Sequence, residues 1–137
     1  MTSLLHKDLS YKLQGCFFEV RKNFGPGHKE LVYQNALSEE FEAQKIPYEK
    51  EKDIRIYSPK SGKSVGYYRA DFLIDKKIIV EIKAVDVIPK NFIDQIFSYL
   101  KNSEYELGYF VNFKSPKLYI KRIIYTNDRK PFLNVVS

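Results

Sequence analysis

Three stretches of the chain repeat apolar residues at three- and four-residue steps, which is the spacing of a helix with one buried face. The first stretch runs from about residue 3 to 23 and is broken by the Gly-Pro-Gly sequence at 25–27. The second runs from about 28 to 44, and the third from about 89 to 101, where Pro89 suits the first turn. The pattern predicts three amphipathic helices, two of them early in the chain.

Between the second and third helices, apolar positions alternate with polar ones, which is typical of β-strands. Further apolar and alternating segments follow the third helix. These patterns predict five strands, at about 49–57, Val65–Ile74, Ile78–Val85, Leu107–Asn112 and Leu118–Tyr125. The residues after Tyr125 show no clear pattern.

The predicted order of elements is α-α-β-β-β-α-β-β, without an internal repeat or a linker. Strands joined by short loops pair antiparallel, whereas the connection through the third helix allows parallel pairing. The sequence therefore predicts one α/β domain over residues 1–137, with a mixed central β-sheet flanked by helices.

The few cysteines and histidines limit the kinds of metal site that the chain can build. Cys16 is the only cysteine, and His6 and His28 are the only histidines. An intrachain disulfide is therefore excluded, as are a four-cysteine zinc site and an iron–sulfur cluster built from one chain. Any metal is expected to be a hard cation on oxygen ligands.

The charge balance bears on the partners of the protein. Lys and Arg total 23 against 17 Asp and Glu, which gives a formal net charge of +6. This excess favours polyanionic partners such as nucleic acid, but many basic proteins bind none. No apolar run approaches the ~18 residues of a membrane span, and the N-terminus lacks the apolar core of a signal peptide. We therefore expect a soluble, cytoplasmic protein with no membrane partner.

The third predicted strand carries charges where apolar residues are expected. Glu81 and Lys83 are two residues apart, so their side chains emerge on the same face. If the hairpin closes at residues 75–77, its register sets Asp71 opposite Glu81. Two close carboxylates repel each other unless a divalent cation lies between them. Mg²⁺ fits this arrangement, because it uses one or two carboxylates and takes its other ligands from water or phosphate.

Lys83 beside such a pair could orient or deprotonate a water and neutralise charge on a pentavalent phosphate. Gln95 and Tyr99 lie one turn apart on the third helix and could contact a phosphate or a base. The same residues also fit an exposed sheet face and an ordinary helix edge, since short charge patterns arise easily in a chain that is 29% charged. The cost of placing unneeded charge in an apolar strand, several kcal/mol, favours a functional site.

The residues also carry a resemblance to a known family. Asp71 followed by Glu81-Ile82-Lys83 resembles the signature of the PD-(D/E)XK nuclease superfamily, and residues 27–33, reading GHKELVY, match the GxxExxY motif of the family named for it. The segments that follow in that family's order read YRADFLID, VEIKAV, QIFSYLKNS, ELGYFVNF and IKRIIY, so the resemblance covers about residues 10 to 125. One departure is Ala70, which stands where the superfamily has a proline before the aspartate.

The resemblance implies a restriction-endonuclease-like fold and a Mg²⁺-dependent nuclease, with Mn²⁺ as a substitute ion. DNA is favoured over RNA as its substrate, and the choice between them stays open. It implies these site residues: Asp71, Glu81 and the backbone carbonyl of Ile82 as metal ligands, Lys83 assisting the water, Glu30 as an outer carboxylate, and Gln95, Tyr99 and Tyr33 near the substrate. Two alternatives remain open at this stage. One is an inactive module that binds nucleic acid or protein, and the other is an interaction protein that forms a homodimer through its aromatic helix stripes.

Overall fold

The computed structural model describes residues 5–133. Within them the order of elements is the predicted one, with bounds α1 Lys7–Phe24, α2 Glu30–Ala43, β1 Tyr48–Tyr57, β2 Ser64–Ile74, β3 Ile78–Lys83, α3 Lys90–Lys101, β4 Leu107–Asn112 and β5 Tyr119–Ile124. Two short 3₁₀ turns follow, at Asn127–Arg129 and Pro131–Leu133. Residues 3 and 4 of the first predicted helix lie outside the described residues. The third strand ends at Lys83, two residues earlier than predicted.

Local turn chemistry sets where the elements end. α1 stops at Gly25, which has a φ of 68° and donates its N–H to the carbonyl of Arg21. Asp75 and Lys76 both have positive φ, 49° and 55°, which is the backbone of the tight type I′ hairpin turn between β2 and β3. This turn fixes the register of the hairpin that carries the charged residues.

The five strands form one sheet in the order β1-β2-β3-β4-β5. Every neighbouring pair is antiparallel except β3 and β4, which are parallel and joined by the α3 crossover. The predicted mixed sheet is therefore confirmed. β4 is buried along its whole length, as expected for a strand covered on both faces.

Helices cover both faces of the sheet. α1 and α2 pack on one face through a cluster that includes Phe17, Tyr33 and Leu37. α3 packs on the other face, where Ile96 and Leu100 contact β3 and β4. Each face of the sheet therefore has its own apolar core. No helix within residues 5–133 is long and apolar enough to cross a membrane.

The alternation of side chains along β2 is broken at Asp71. Lys50 pairs with Phe72 and Lys52 pairs with Ala70, whereas Glu51, opposite Asp71, has a φ of 52°. Ala70 consequently packs in the α3 cluster although Phe72 packs on the α1–α2 side. Such an irregularity re-aims a side chain, and here it falls at the aspartate of the predicted site.

Candidate active site

Asp71 and Glu81 lie side by side where the ladder between β2 and β3 opens. The last regular pair of that ladder is Phe72 with Val80, so the predicted register, with Asp71 opposite Glu81, is confirmed. Beyond this pair, backbone N–H groups donate to the side-chain carboxylates of Asp71 and Glu81 instead of to backbone carbonyls. The Asp71 N–H donates to Glu81 Oε1 at 2.9 Å, and the Ile82 N–H donates to Asp71 Oδ2 at 2.8 Å. Each carboxylate is therefore held by the opposite strand.

Glu81 points toward α3. Its Oε1 also accepts a hydrogen bond from the hydroxyl of Tyr68, whose ring is stacked on Tyr99 with centroids 3.6 Å apart. Burial, followed by the negative charge of Asp71, raises the pKa of Glu81 to about 8. A cation beside the carboxyl of Glu81 would lower this pKa, because it favours the charged form of the carboxyl.

Asp71 points toward α2. Its Oδ1 accepts a hydrogen bond from Gln34 Nε2 at 3.2 Å. Burial raises the pKa of Asp71, and the N–H of Ile82 and the charge of Lys83 oppose that rise. Both carboxyls of the pair thus have raised pKa values, which is the mark of acidic groups held close together with little water.

The pair fits a hard divalent cation. The donors are carboxylate oxygens, and a positive ion between them would relieve both their repulsion and their burial. Within residues 5–133, no cluster of three or more His, Cys, Asp or Glu side chains could hold a metal. A divalent cation held by two carboxylates takes its other ligands from water or from phosphate oxygens.

A small cavity lies between β3 and α3, next to Glu81. It measures about 70 Å³ and is lined by Tyr68, Glu81, Lys83, Phe92, Gln95, Ile96, Tyr99 and Phe110. The Lys83 ammonium lies 5.2 Å from the centroid of the Phe92 ring, a cation–π distance. The structure thus brings together four residues that the sequence predicts for the site: Glu81, Lys83, Gln95 and Tyr99.

A family model of the PD-(D/E)XK nuclease superfamily matches residues 7–123. The chain belongs to this superfamily. The matched range runs from the first residue of α1 into β5, and the mixed five-stranded sheet with flanking helices is a restriction-endonuclease-like α/β fold. PD-(D/E)XK proteins are generally nucleases that use divalent metal ions, so membership supports a metal-dependent nuclease. Neither a curated protein nor a solved structure matches the chain.

Glu30, the acidic residue of the predicted GxxExxY motif, is the first residue of α2. It is half-buried, and burial raises its pKa. The positive charge of Lys83 lowers the pKa of Glu30 and the negative charge of Asp71 raises it, so Glu30 lies within electrostatic reach of both. Its role as an outer carboxylate stays a prediction, as does the ligand role of the Ile82 carbonyl.

Tyr33, the last residue of the same motif, lies in the core. Its side chain is fully buried, and its ring is stacked on Phe113 with centroids 4.5 Å apart. Its hydroxyl donates to the carbonyl of Gly25 at 2.5 Å and accepts from the N–H of His28 at 3.1 Å. Tyr33 therefore holds the loop between α1 and α2 in place, and its predicted contact with substrate stays a prediction.

Two residues of the PD-(D/E)XK site do not appear among the sequence predictions. Gln34, which holds Asp71, follows Glu30 at i+4, so helical spacing alone places it on the same face of α2. Tyr68, which holds Glu81, has no such signal. Because the alternation breaks at Asp71, Tyr68 lies on the α3 side of the sheet, whereas a regular strand would place it on the same side as Phe72. This break is not visible in the sequence.

Proposed function

We propose that this protein is a Mg²⁺-dependent nuclease that hydrolyses phosphodiester bonds in DNA, and that it belongs to the GxxExxY group of the superfamily. The observation that carries the proposal is the side-by-side arrangement of the Asp71 and Glu81 carboxylates, with Lys83 lining the same cavity as Glu81. The GHKELVY sequence at residues 27–33 supports the group.

In this proposal Asp71, Glu81 and the Ile82 carbonyl hold Mg²⁺, with Mn²⁺ as a substitute. When bound, the ion supplies a Lewis acid that polarises the phosphate under attack. The ammonium of Lys83 orients the attacking water and offsets negative charge that develops on the phosphate.

Five other residues complete the proposed site. Tyr68 and Gln34 fix the two carboxylates through the hydrogen bonds described above. Glu30 acts from α2 as an outer carboxylate. Gln95, which is exposed, and Tyr99 line the cavity and contact the substrate. The net charge of +6 favours a polyanion such as DNA.

A cleavage assay tests the proposal. Plasmid, linear and single-stranded DNA, together with RNA, are incubated with the protein while Mg²⁺ or Mn²⁺ is titrated. We expect metal-dependent cutting of DNA that is lost in Lys83→Ala and retained in Lys101→Ala, a matched change at an exposed lysine of α3. Absence of cutting with either metal, or equal cutting by the Lys83→Ala variant, would refute the enzymatic role.

One observation favours a second candidate, a non-catalytic module that binds nucleic acid or protein. Each carboxylate of the pair already has two hydrogen-bond donors from the protein: Gln34 and Ile82 for Asp71, and Tyr68 and the Asp71 N–H for Glu81. Part of the hydrogen-bonding capacity of the pair is therefore met by the protein without an ion. This candidate predicts salt-dependent binding that survives Glu81→Ala and does not respond to Mg²⁺.

A further inference from the structure

The outward side of α1 carries aromatic residues that the fold does not use. Tyr11 is 82% exposed and Phe18 is 56% exposed, although the inward side of the same helix is buried through Leu13, Cys16 and Phe17. Tyr11, Gly15 and Phe18 follow one another at steps of four and three residues, so they form one stripe along the helix. Neighbouring large aromatic side chains in the open are typical of an interaction surface.

Gly15, in the middle of this stripe, has no reason within the chain to be glycine. Glycine in the interior of a helix is destabilising relative to alanine. Within residues 5–133, no atom other than those of the adjoining residues and turns of α1 lies within 4 Å of the position that a Cβ of Gly15 would take, so packing against the rest of the fold does not exclude a side chain. The absence of a side chain at Gly15 allows another molecule to approach the backbone of α1 closely. A groove of about 700 Å³ between α1 and α2 opens beside it and is lined in part by Tyr11, Gly15 and Phe18.

The charges around the stripe are arranged symmetrically about Gly15. By helical spacing, the outer face of α1 consists of Asp8, Tyr11, Lys12, Gly15, Phe18, Glu19 and Lys22. Asp8 and Lys22 are equally far from Gly15 along the helix and have opposite charge. Lys12 and Glu19, also of opposite charge, lie about one turn before and after it.

This arrangement is complementary to itself. If a second α1 lies antiparallel on the first with the two-fold axis at Gly15, Tyr11 of each copy meets Phe18 of the other. On the other side of the line along which the two helices touch, Lys12 of each copy meets Glu19 of the other. At the two ends of the contact, Asp8 of each copy meets Lys22 of the other. A two-fold interface requires that one patch match a copy of itself, and this patch does so in both its aromatic and its charged positions.

We propose that the outer face of α1 is the interface of a homodimer, formed by antiparallel packing of α1 on α1 around Gly15. The two acidic and two basic residues of this face cancel in charge, although the whole chain has a net charge of +6. The face therefore suits a second copy of the chain better than a polyanion. Because the Glu81 cavity lies on the α3 side of the sheet, such a dimer leaves both cavities facing outward.

Light scattering coupled to size exclusion, with sedimentation equilibrium for the dissociation constant, tests the interface on the full chain at concentrations up to about 100 μM. We expect a dimer for the wild type and a monomer for Gly15→Leu, whose side chain fills the space that the partner helix needs. Thermal unfolding of that variant checks that the monomer is folded. A good helix former in open space should not destabilise the monomer.

Charge-reversal variants provide a second test of the interface. Lys12→Glu and Glu19→Lys should each weaken the dimer roughly tenfold, because each places like charges opposite one another twice. The double variant should restore the wild-type dissociation constant, since both pairs are then reversed. Lys101→Glu, on the exposed side of α3, is the control for Lys12→Glu because it makes the same change in net charge. A monomeric wild type, a dimer that Gly15→Leu leaves intact, or a double variant no tighter than the single ones would overturn the proposal.

Discussion

The turn end and the open end of the β2–β3 hairpin differ in what fills the space between the strands. At the turn end Ile74 pairs with Ile78, and Leu73 pairs with Ile79, through regular backbone bonds. These side chains are fully buried or nearly so. At the open end the backbone ladder stops, and the carboxylates of Asp71 and Glu81 accept the N–H groups of the opposite strand.

One end of this short hairpin stabilises the fold, and the other end carries the candidate catalytic groups. The turn end stabilises the fold by removing apolar surface from water. The open end places two acidic groups close together in a half-buried position, and burial raises the pKa of both. Such an arrangement is unfavourable for the free protein and is typical of functional sites. Changes at the two ends should therefore affect different measurements.

The largest effect is expected from Glu81→Gln at the open end. The amide keeps the shape of the side chain but cannot supply a charged oxygen to a metal ion, so cleavage should fall on the order of a thousandfold. Thermal stability should be unchanged or higher, because the repulsion with Asp71 is removed. Initial cleavage rates and melting curves measure both quantities. Glu39→Gln, at an exposed position of α2, is the control, and equal cutting by the two variants would contradict the role of Glu81.

A smaller loss of activity is expected from Tyr68→Phe. This change removes the hydroxyl that donates to Glu81 and keeps the ring stacked on Tyr99. Loss of a residue that orients a metal ligand typically lowers activity roughly 10–100-fold. The pKa of Glu81 should rise further without its donor, so the pH–rate profile should shift to higher pH. Tyr67→Phe changes a neighbouring exposed tyrosine in the same way and should have no effect on the rate or on the profile.

In the regular ladder between the open end and the turn, Val80→Ala should affect stability rather than chemistry. Val80 is fully buried, and removing its methyl groups should lower the free energy of unfolding by about 2 kcal/mol. Val65→Ala makes the same change at a side chain that is 67% exposed and should have little effect. Urea titrations give both values. If Val65→Ala were as costly as Val80→Ala, burial would not explain the stability of this ladder.

The smallest effect concerns a buried charge far from the hairpin turn. Lys130 is fully buried and donates to the carbonyls of Ser103 and Tyr105 at 2.8 and 2.7 Å. Burial lowers its pKa from 10.5 to about 8. Between about pH 8 and 10.5 the unfolded chain binds a proton at this lysine that the folded chain does not, so stability should rise with pH across this window.

Lys130→Met isolates this contribution, because it removes the titrating group and keeps the length of the side chain. Unfolding free energies are measured by urea titration at pH 7 and pH 9.5 for both proteins. The wild type should gain stability with pH relative to the variant. The same pH dependence in both proteins would contradict the lowered pKa of Lys130.

The sequence alone determined the features that depend on residues close together in the chain. Helical and strand periodicity predicted the three α-helices and five strands in the right order, and the short loop at residues 75–77 fixed the register that sets Asp71 opposite Glu81. The two-residue period of strands predicted that Glu81 and Lys83 share a face, as the cavity that both line confirms. The signature residues, read together, indicated the superfamily.

Only the tertiary structure decided how those residues are held. The irregular backbone at Glu51 turns Asp71 toward Gln34, and the packing of α3 places Tyr68 between Tyr99 and Glu81. Neither contact follows from local spacing, because each joins elements whose relative position depends on packing across the sheet. The same packing buries Tyr33 beneath the loop before α2. Local periodicity determines which residues can share a face, whereas the fit of helices on the sheet determines which of them touch.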